Sequence, residues 1–202
     1  MKITLLRHGE SMDDVINCYG GAADYELSQN GVATARDVAK IFINEKIDKI
    51  FSSPLKRAYQ TAEVLNDAHN CGIEIATMLY ERNSYGVLSG SNIDECKTIF
   101  GWLLKDIKGK IGNYYSDELV VGAEPVSDFD TRIRKAMQKI VDDAKELQHI
   151  VIVTHGNVTR SIYKNILKID GKIDLGLLAY SIIEYENSVF SLISNDGIEV
   201  KA

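Results

Sequence analysis

The sequence predicts an α/β fold, a three-layer α/β/α sandwich around a central, mostly parallel mixed sheet. Short apolar, β-branched runs alternate along the chain with segments whose apolar residues recur at helical spacing, the pattern of repeated βα units. The run at 150–154 is continuous and β-branched, which is typical of a central strand covered on both faces. Two runs at 177–185 and 189–194 predict a closing hairpin that turns near Glu186-Asn187-Ser188, which makes the sheet mixed.

The composition fits a single domain over residues 1–202, a length sufficient to bury a sizeable core. With 23 Lys+Arg against 29 Asp+Glu, the net charge of −6 gives no general attraction to nucleic acid or to anionic lipid. We therefore expect a small-molecule partner, with neither nucleic acid nor membrane involved.

The cysteines and the N-terminus bear on the cellular compartment. Cys18, Cys71 and Cys96 are odd in number and widely spaced, so they match neither a disulfide framework nor a metal-ligand pattern. The first residues read as neither a signal peptide nor a membrane span. A cytoplasmic protein in a reducing environment is the prediction.

The first half of the chain predicts two strands and two helices. An apolar run after Lys2 leads into Arg7-His8-Gly9, and residues 12–30 predict a loop. Ser28 is a candidate N-cap for a helix that extends to about Glu45. A second strand follows at 47–51. Ser53 can then cap a helix with Pro54 at its first position, which places Arg57 in the first turn.

The second half predicts a short strand at 73–78, a polar and aromatic loop at 79–86, and a segment at 93–112 that is helical and then irregular. A long helix begins after Gly122–Pro125. Its apolar stripe indicates core packing rather than a cofactor site. A last helix, at about 158–167, follows the central strand.

Two histidines follow predicted strands directly. His8 ends the first strand and His155 follows the central one, so both lie at the carboxyl edge where open α/β sheets bind ligands. An arginine beside an imidazole suits a phosphoryl group, because the guanidinium binds oxygens while a neutral ring nitrogen can attack phosphorus. Arg-His-Gly alone is a weak signal, and Arg57 taken by itself is better explained as a solvated helix charge than as a site residue.

Several such motifs nevertheless occur in one order. They are Arg7–Ser11, the pattern from Gly21 to Gly31, Ser53–Ala62, Glu81, the pattern from Gly122 to Arg132, and Thr154–Asn157. Together they resemble the histidine phosphatase superfamily, with its phosphoglycerate mutase-like fold, from residue 3 to about 195.

The resemblance implies a role for each matching residue. His8 would be the nucleophile, Glu81 the proton donor to the leaving oxygen, and Arg7, Arg57 and His155 the ligands of the phosphate oxygens. Five further positions would line the substrate and phosphate pocket: Ser11, Asp14, Gly21, Gly156 and Asn157. A helical and loop region around 81–125 would cap this pocket.

The physical chemistry is compatible with these roles. Neighbouring cations should lower the pKa of His8, so that a neutral ring attacks and forms a phosphohistidine. Glu81 would give a proton to the leaving alkoxide and then act as base on water. Since fixed positive side chains can stabilise the phosphoryl charge, and no metal-ligand cluster is visible, we expect neither a metal nor another cofactor.

Three departures from the family pattern bear on the activity. Asp14 stands where many members carry asparagine, which would disfavour a highly anionic substrate. Gly86 follows Glu81 by five residues where four is usual. Ile93 replaces the lysine that cofactor-dependent phosphoglycerate mutases place after Gly90-Ser91-Asn92, and 101–112 lacks their paired arginines. The spacing bears on the geometry of the Glu81 loop. The missing cations favour hydrolysis of a phosphomonoester over mutase action, because a mutase must hold a bisphosphate intermediate.

Other assignments remain open at this stage. Glu10 and Glu124 are alternative carboxylates, although Glu124 also fits a charge near a helix start. His69 and His149 are expected at the surface. Four tyrosines could shape the pocket mouth or simply pack: Tyr80, Tyr85, Tyr114 and Tyr115. The alternatives to a hydrolase are a mutase and a catalytically silent phosphate-binding module. The sequence fixes neither the substrate nor the oligomeric state. A homodimer is one of the states that it allows.

Overall fold

A six-stranded mixed sheet forms the centre of the molecule in a computed structural model, which describes residues 1–104 and 120–201. The strands are β1 (Lys2–Arg7), β2 (Lys49–Ser52), β3 (Ile73–Ile75), β4 (His149–Thr154), β5 (Lys172–Glu186) and β6 (Val189–Lys201). Their spatial order is β3-β2-β4-β1-β5-β6. Strands β1 to β4 are parallel to one another, whereas β5 pairs antiparallel with both β1 and β6. The predicted mostly parallel mixed sheet is confirmed.

Six α-helices connect or flank these strands in the part of the chain that is described. They are α1 (Met12–Val15), α2 (Gln29–Ile41), α3 (Lys56–His69), α4 (Ile93–Leu104), α5 (Val126–Asp143) and α6 (Gly156–Asn165). Two 3-10 turns, Thr77–Leu79 and Gly86–Leu88, lie between β3 and α4. None of these helices is long and apolar enough to cross a membrane.

Two apolar cores cover the two faces of the sheet. Successive side chains of a strand point to opposite faces, so Ile150 and Ile152 pack with α5 and α6 while Val151 and Val153 pack with α2 and α3. Every residue of β4 is buried, as its continuous apolar run predicts. Helices on both faces complete the predicted three layers.

The register between β1, β4 and β2 brings three chain segments to one edge of the sheet. Arg7 is opposite Thr154, and the backbone N–H of His8 donates to the Thr154 carbonyl at 2.9 Å. On the other side of β4, the Ser53 N–H donates to the Val153 carbonyl at 3.0 Å. His8, His155 and Ser53 therefore lie side by side at the same edge of the sheet, each directly after the last residue of its strand.

The helix starts agree only in part with the sequence pattern. The Ser28 hydroxyl accepts from the Gly31 N–H at 2.9 Å, so the predicted cap of α2 is confirmed. The predicted cap of α3 at Ser53 is wrong, because α3 begins at Lys56 with Leu55 in the N-cap position. The Ser53 hydroxyl instead contacts the ring of His155.

The closing hairpin is longer than the apolar runs predict. Its pairing extends to Lys172 opposite Lys201, and its turn has positive φ at Asn187 and Ser188, where the turn was predicted. Many residues of β6 are exposed. An exposed strand needs no apolar alternation, so the sequence gives little signal for its full length.

The expectation that His149 lies at the surface is wrong. The ring is 6% exposed, Nε2 lies 2.9 Å from Thr4 Oγ1, and Nδ1 lies 3.4 Å from a Glu45 carboxylate oxygen. Burial and the nearby Lys2 ammonium lower the pKa of His149, and Glu45 partly offsets them. His69 is half-buried near the C-terminal end of α3.

The region predicted to cap the pocket is described only in part. Helix α4 agrees with the first half of the helix predicted at 93–112, and α5 begins directly after Pro125 as predicted. Residues 105–119 lie outside the described part, and with them Tyr114, Tyr115 and most of the stretch that lacks paired arginines.

Candidate active site

His8 lies at the end of β1 with its ring almost fully buried. Its Nδ1 is 2.7 Å from the carbonyl oxygen of Gly9, and its Nε2 accepts a hydrogen bond from Arg57 Nε–H at 3.3 Å. Since a carbonyl only accepts, Nδ1 carries the proton and Nε2 keeps its lone pair. Burial first, and then the charges of Arg57 and Arg7, hold the pKa of His8 well below its usual range. A neutral nucleophile at Nε2 is what this environment favours.

Arg57 is held in place by a loop that is distant in sequence. Its Nη1 donates to the Ala23 carbonyl at 2.7 Å and its Nη2 to the Gly21 carbonyl at 2.9 Å. Gly21 has φ +54, and an added Cβ would lie 2.9 Å from the Tyr85 ring. A glycine at position 21 thus lets the loop approach closely and orient the guanidinium.

Arg7 and His155 have polar atoms that no described residue satisfies. Arg7 Nη1 donates to the Leu175 carbonyl at 2.9 Å, whereas its Nε is buried without a partner. His155 Nε2 lies 2.7 Å from Ser53 Oγ, and its Nδ1 is likewise buried without a partner. Buried polar groups are nearly always paired, so unpaired ones are typical of a ligand site.

The rings of His8 and His155 meet with centroids 5.1 Å apart and planes at 60°. Burial, followed by the Arg57 charge, also holds the pKa of His155 well below its usual range. The two imidazoles, which are separated by almost the whole chain, thus lie side by side as neutral groups among arginines.

Glu81 reaches the same cavity from the loop that follows the first 3-10 turn. Its Oε1 accepts from the Arg82 N–H at 2.8 Å and its Oε2 from the Asn157 N–H at 3.1 Å. Two backbone donors on separate segments thus fix the carboxyl, which is 8% exposed. The longer Glu81–Gly86 spacing is accommodated by Gly86 at φ +51, where a Cβ would lie 2.2 Å from the Val121 carbonyl oxygen.

His8, Arg57, Arg7 and Glu81 line one open cavity of about 950 Å³, a volume that includes its solvent-filled mouth. Its lining includes seven of the predicted site residues besides Glu81, namely Arg7, His8, Asp14, Gly21, Arg57, Gly156 and Asn157. His155 is fully buried behind His8 and is not itself a lining residue. Ser11 is fully buried and does not line the cavity. Its hydroxyl and N–H instead bond to Asp13 and Asp14 and cap the short helix α1.

Comparison with known proteins agrees with this geometry. The family model of the histidine phosphatase superfamily (branch 1) matches residues 3–195. The chain belongs to the histidine phosphatase superfamily.

Relatives of this chain include both mutases and phosphatases. It is 31% identical to the 2,3-bisphosphoglycerate-dependent phosphoglycerate mutase of Nitrosococcus oceani, a match covering 80% of this chain and 78% of that protein. It is 28% identical to phosphoserine phosphatase 1 of Hydrogenobacter thermophilus, covering 84% and 78%. The crystal structure of the alpha-ribazole phosphatase from Shigella flexneri superposes with a TM-score of 0.79 at 18% identity, covering 96% and 95%. The last likeness shows the fold alone.

The two alternative carboxylates, Glu10 and Glu124, bind other partners. Both oxygens of Glu124 accept from Arg132, at 2.9 Å from Nε and 2.8 Å from Nη2. A Glu10 oxygen accepts from the Ser28 hydroxyl. Neither residue lines the cavity, so Glu81 is the glutamate there. Among residues 1–104 and 120–201, no group of three or more His, Cys, Asp or Glu side chains is arranged to hold a metal ion.

Sequence reasoning missed several lining residues. They are Asp13, Cys18, Gly20, Ser84 and Arg160, and Ile93 and Tyr85 also lie there. Arg160 had a usable signal, because it follows Gly156 by four positions and so lies on the same face of α6. The others come from α1 and from loops, where side-chain direction has no sequence period.

Proposed function

We propose that this chain is a phosphomonoester hydrolase that needs no metal and works through a phosphohistidine on His8. The orientation of His8 carries the proposal. Its Nδ1–H donates to Gly9, so Nε2 is the unprotonated nitrogen, and its lone pair accepts a 3.3 Å hydrogen bond from Arg57 Nε–H at the cavity. A phosphoryl group that binds to the guanidinium would take over this donor and leave the lone pair to attack phosphorus. A neutral imidazole beside fixed cations is what an in-line attack on a phosphate dianion requires.

The first step transfers the phosphoryl group to the enzyme. The Nε2 lone pair of His8 forms a bond to phosphorus while the bond from phosphorus to the ester oxygen breaks. The leaving oxygen takes a proton from the carboxylic acid of Glu81 and departs as an alcohol. Arg7, Arg57 and His155 donate to the phosphoryl oxygens, which satisfies the buried donors that lack partners.

The second step regenerates the enzyme. A water molecule gives a proton to the Glu81 carboxylate and its oxygen attacks phosphorus. The N–P bond breaks, its electron pair returns to Nε2, and inorganic phosphate leaves. The enzyme then has a neutral His8 and a protonated Glu81, ready for another ester.

The charges of the cavity favour a hydrolase over a mutase. A mutase must hold a bisphosphate intermediate, which calls for additional cations. Here Ile93 occupies the position of the mutase lysine, and the carboxylates of Asp13 and Asp14 line the same cavity. Anionic side chains oppose binding of a second phosphate dianion.

Phosphoglycerate mutase activity is the second candidate. The residues Glu81-Arg82 and Gly90-Ser91-Asn92 match the mutase pattern, and a mutase of Nitrosococcus oceani is 31% identical. A silent module that only binds phosphate is the third candidate. It is disfavoured because a binder has no use for both the nucleophile and the acid. We place the hydrolase in the cytoplasm, acting on small phosphorylated molecules.

Hydrolysis of an aryl phosphate in excess chelator tests the proposal. We expect chelator-resistant release of phosphate by the native chain and none by His8→Ala, with His69→Ala as the matched control that keeps activity. Rapid quenching should trap phosphate on native protein as an acid-labile, base-stable adduct that is absent from His8→Ala.

The other outcomes identify the competing functions. Exchange of phosphate between glycerates only when bisphosphoglycerate is supplied, without net hydrolysis, would indicate a mutase. Binding of phosphate with neither activity would indicate the silent module.

A further inference from the structure

Arg160 is a charged cavity residue to which the mechanism above gives no role. It lies on α6, half-buried, with Nε donating to the Ile173 carbonyl at 2.9 Å and Nη1 donating to Asn157 Oδ1 at 3.3 Å. No carboxylate within residues 1–104 and 120–201 forms an ion pair with it, and Nη2 makes no hydrogen bond there. The Arg160 charge therefore faces the cavity without a counterion among the described residues.

Arg160 and Arg7 approach each other closely above Gly156. A Cβ added to Gly156 would lie 3.1 Å from Arg160 Nη1, 3.7 Å from Arg7 Nε and 3.8 Å from Arg7 Cζ. Both guanidinium groups thus lie within 4 Å of one point. Burial is the largest effect on the pKa of Arg7 and lowers it. The Glu81 charge raises this pKa, and the Arg160 charge lowers it. Two like charges at this separation repel one another unless an anion joins them.

We propose that Arg160 determines substrate specificity by binding a carboxylate of the phosphomonoester. The inference rests on the proposed function: the phosphate lies at His8, Arg7 and Arg57, and the carboxylate contacts the free edge of the Arg160 guanidinium. Because the two arginines are adjacent, the carboxylate must lie within a few bonds of the ester oxygen. The substrate class is therefore the phosphate esters of small hydroxy acids.

The acidic residues of the cavity limit the second group to a carboxylate. Asp13 and Asp14 line the same space, so a second phosphate, with up to two charges, meets more repulsion than a single carboxylate does. Planar guanidinium and carboxylate groups also match in shape, which permits two parallel hydrogen bonds.

A purely structural role for Arg160 is the competing explanation. Its bond to the Ile173 carbonyl connects α6 with β5, and its bond to Asn157 lies within α6. Loss of these contacts would weaken the binding of all substrates alike. The test must therefore compare substrates that differ only in the carboxylate. The pair 3-phosphoglycerate and glycerol 3-phosphate does so, since CH₂OH replaces the carboxylate.

The experiment measures phosphate release from both esters by the native chain, Arg160→Met and Arg160→Lys. Native protein should prefer 3-phosphoglycerate by about 10- to 100-fold in kcat/KM, the range expected for one charge-assisted contact. Arg160→Met should bring this ratio to within about threefold of one, and Arg160→Lys should keep part of it because the charge remains. Arg134→Met, which removes an exposed arginine from α5, should change nothing.

Binding provides a readout that does not depend on turnover. Calorimetry with His8→Ala should show the same preference for 3-phosphoglycerate, and His8→Ala/Arg160→Met should lose it. The binding measurement tests the role of Arg160 even if the native protein hydrolyses no ester. Absence of hydrolysis would reject the proposed hydrolase but not the carboxylate site. Equal use and equal binding of the two esters by protein with Arg160 intact would overturn the inference. So would an Arg160→Met variant in which both esters are weakened equally.

Discussion

The Nδ1–H of His8 donates to the carbonyl oxygen of Gly9, the next residue, at 2.7 Å. This contact needs the backbone to turn sharply after β1, and the Gly9 N–H is held in that turn by Thr61 Oγ1 at 3.1 Å. Because Nδ1 is the donor, the other ring nitrogen is available to phosphorus. The turn after β1, which Thr61 of α3 holds in place, thereby fixes the tautomer of His8.

Titration of His8 is the first prediction. Burial and the charges of Arg57 and Arg7 lower its pKa, so its ring stays neutral at pH values near 6.5, where an ordinary imidazole takes up a proton. In NMR titrations its C2–H signal should not shift there, whereas the histidines of the chain unfolded in urea should. Arg57→Gln removes one cation, so the pKa of His8 should rise and the signal should move at a higher pH. A native His8 signal that titrates at the ordinary pH would contradict the assignment of a neutral nucleophile.

Dependence on the leaving group is the second prediction and concerns Glu81. Glu81→Gln should lower kcat/KM for an alkyl phosphate by about 10²- to 10⁴-fold, because the departing alkoxide needs a proton. For p-nitrophenyl phosphate, whose leaving group departs as a stable anion, the loss should be less than about tenfold. Glu63→Gln on the exposed face of α3 serves as the control. Equal losses for both esters would show that Glu81 is not the proton donor.

Close packing of α2 against the loop after β1 gives the third prediction. A Cβ on Gly31 would lie 2.0 Å from the Glu10 carbonyl oxygen, and the Gly31 carbonyl lies 3.0 Å from the Cβ position of Gly9. Since both neighbours are backbone, Gly31→Ala should displace the segment that holds His8. We expect a loss of about 1–3 kcal/mol in the free energy of unfolding in urea, together with lower kcat/KM.

Gly101→Ala is the matched control for Gly31→Ala. Gly101 also lies in a helix, and its Cβ position meets no atom within 4 Å. Alanine there should stabilise the protein by about 0.5–1 kcal/mol, through helix propensity alone. If the two substitutions had the same effect, close packing at Gly31 would not be the cause.

Stability at low pH is the fourth prediction and concerns His149. The folded state lowers the pKa of this ring, so below about pH 6.5 the unfolded chain takes up a proton that the folded chain does not. The free energy of unfolding should therefore fall as the pH drops through this range, with His8 and His155 acting in the same direction. His149→Gln should make that fall smaller.

The variant Thr4→Val distinguishes the effect of protonating His149 from the effect of its hydrogen bond to Thr4. It removes the 2.9 Å contact to Nε2 and should cost about 1 kcal/mol at pH 7.5, yet it should keep the pH dependence because the ring stays buried. Denaturation in urea at pH 7.5 and 5.5 measures both effects. An unchanged pH dependence in His149→Gln would show that another group is responsible.

Much of the fold could be predicted because the apolar patterns within single segments match the burial of those segments in the tertiary structure. The apolar run of β4 predicts a strand buried on both faces, and it is one. The stripe at Phe129, Ile133 and Ile140 predicts the buried face of α5, and those residues are buried. His8 and His155 could be placed at one sheet edge because each follows a parallel strand.

Other features depend on partners that are far away in the chain. His149 is buried because Thr4 and Glu45 supply polar partners 145 and 104 positions earlier, which no local pattern encodes. Ser53 fits a helix cap in sequence, yet its hydroxyl contacts the His155 ring. Neither partner could be found from spacing within one segment.

By itself the sequence determined the family, the order of strands and helices, and the residue types that a phosphoryl group requires, since each of these depends on local periodicity and on motifs of a few residues. Only the tertiary structure decided the tautomer of His8, the burial of His149, and the approach of Arg160 to Arg7 above Gly156. The reason is that charge, hydrogen bonding and burial act through space, between side chains that the register of the sheet brings together.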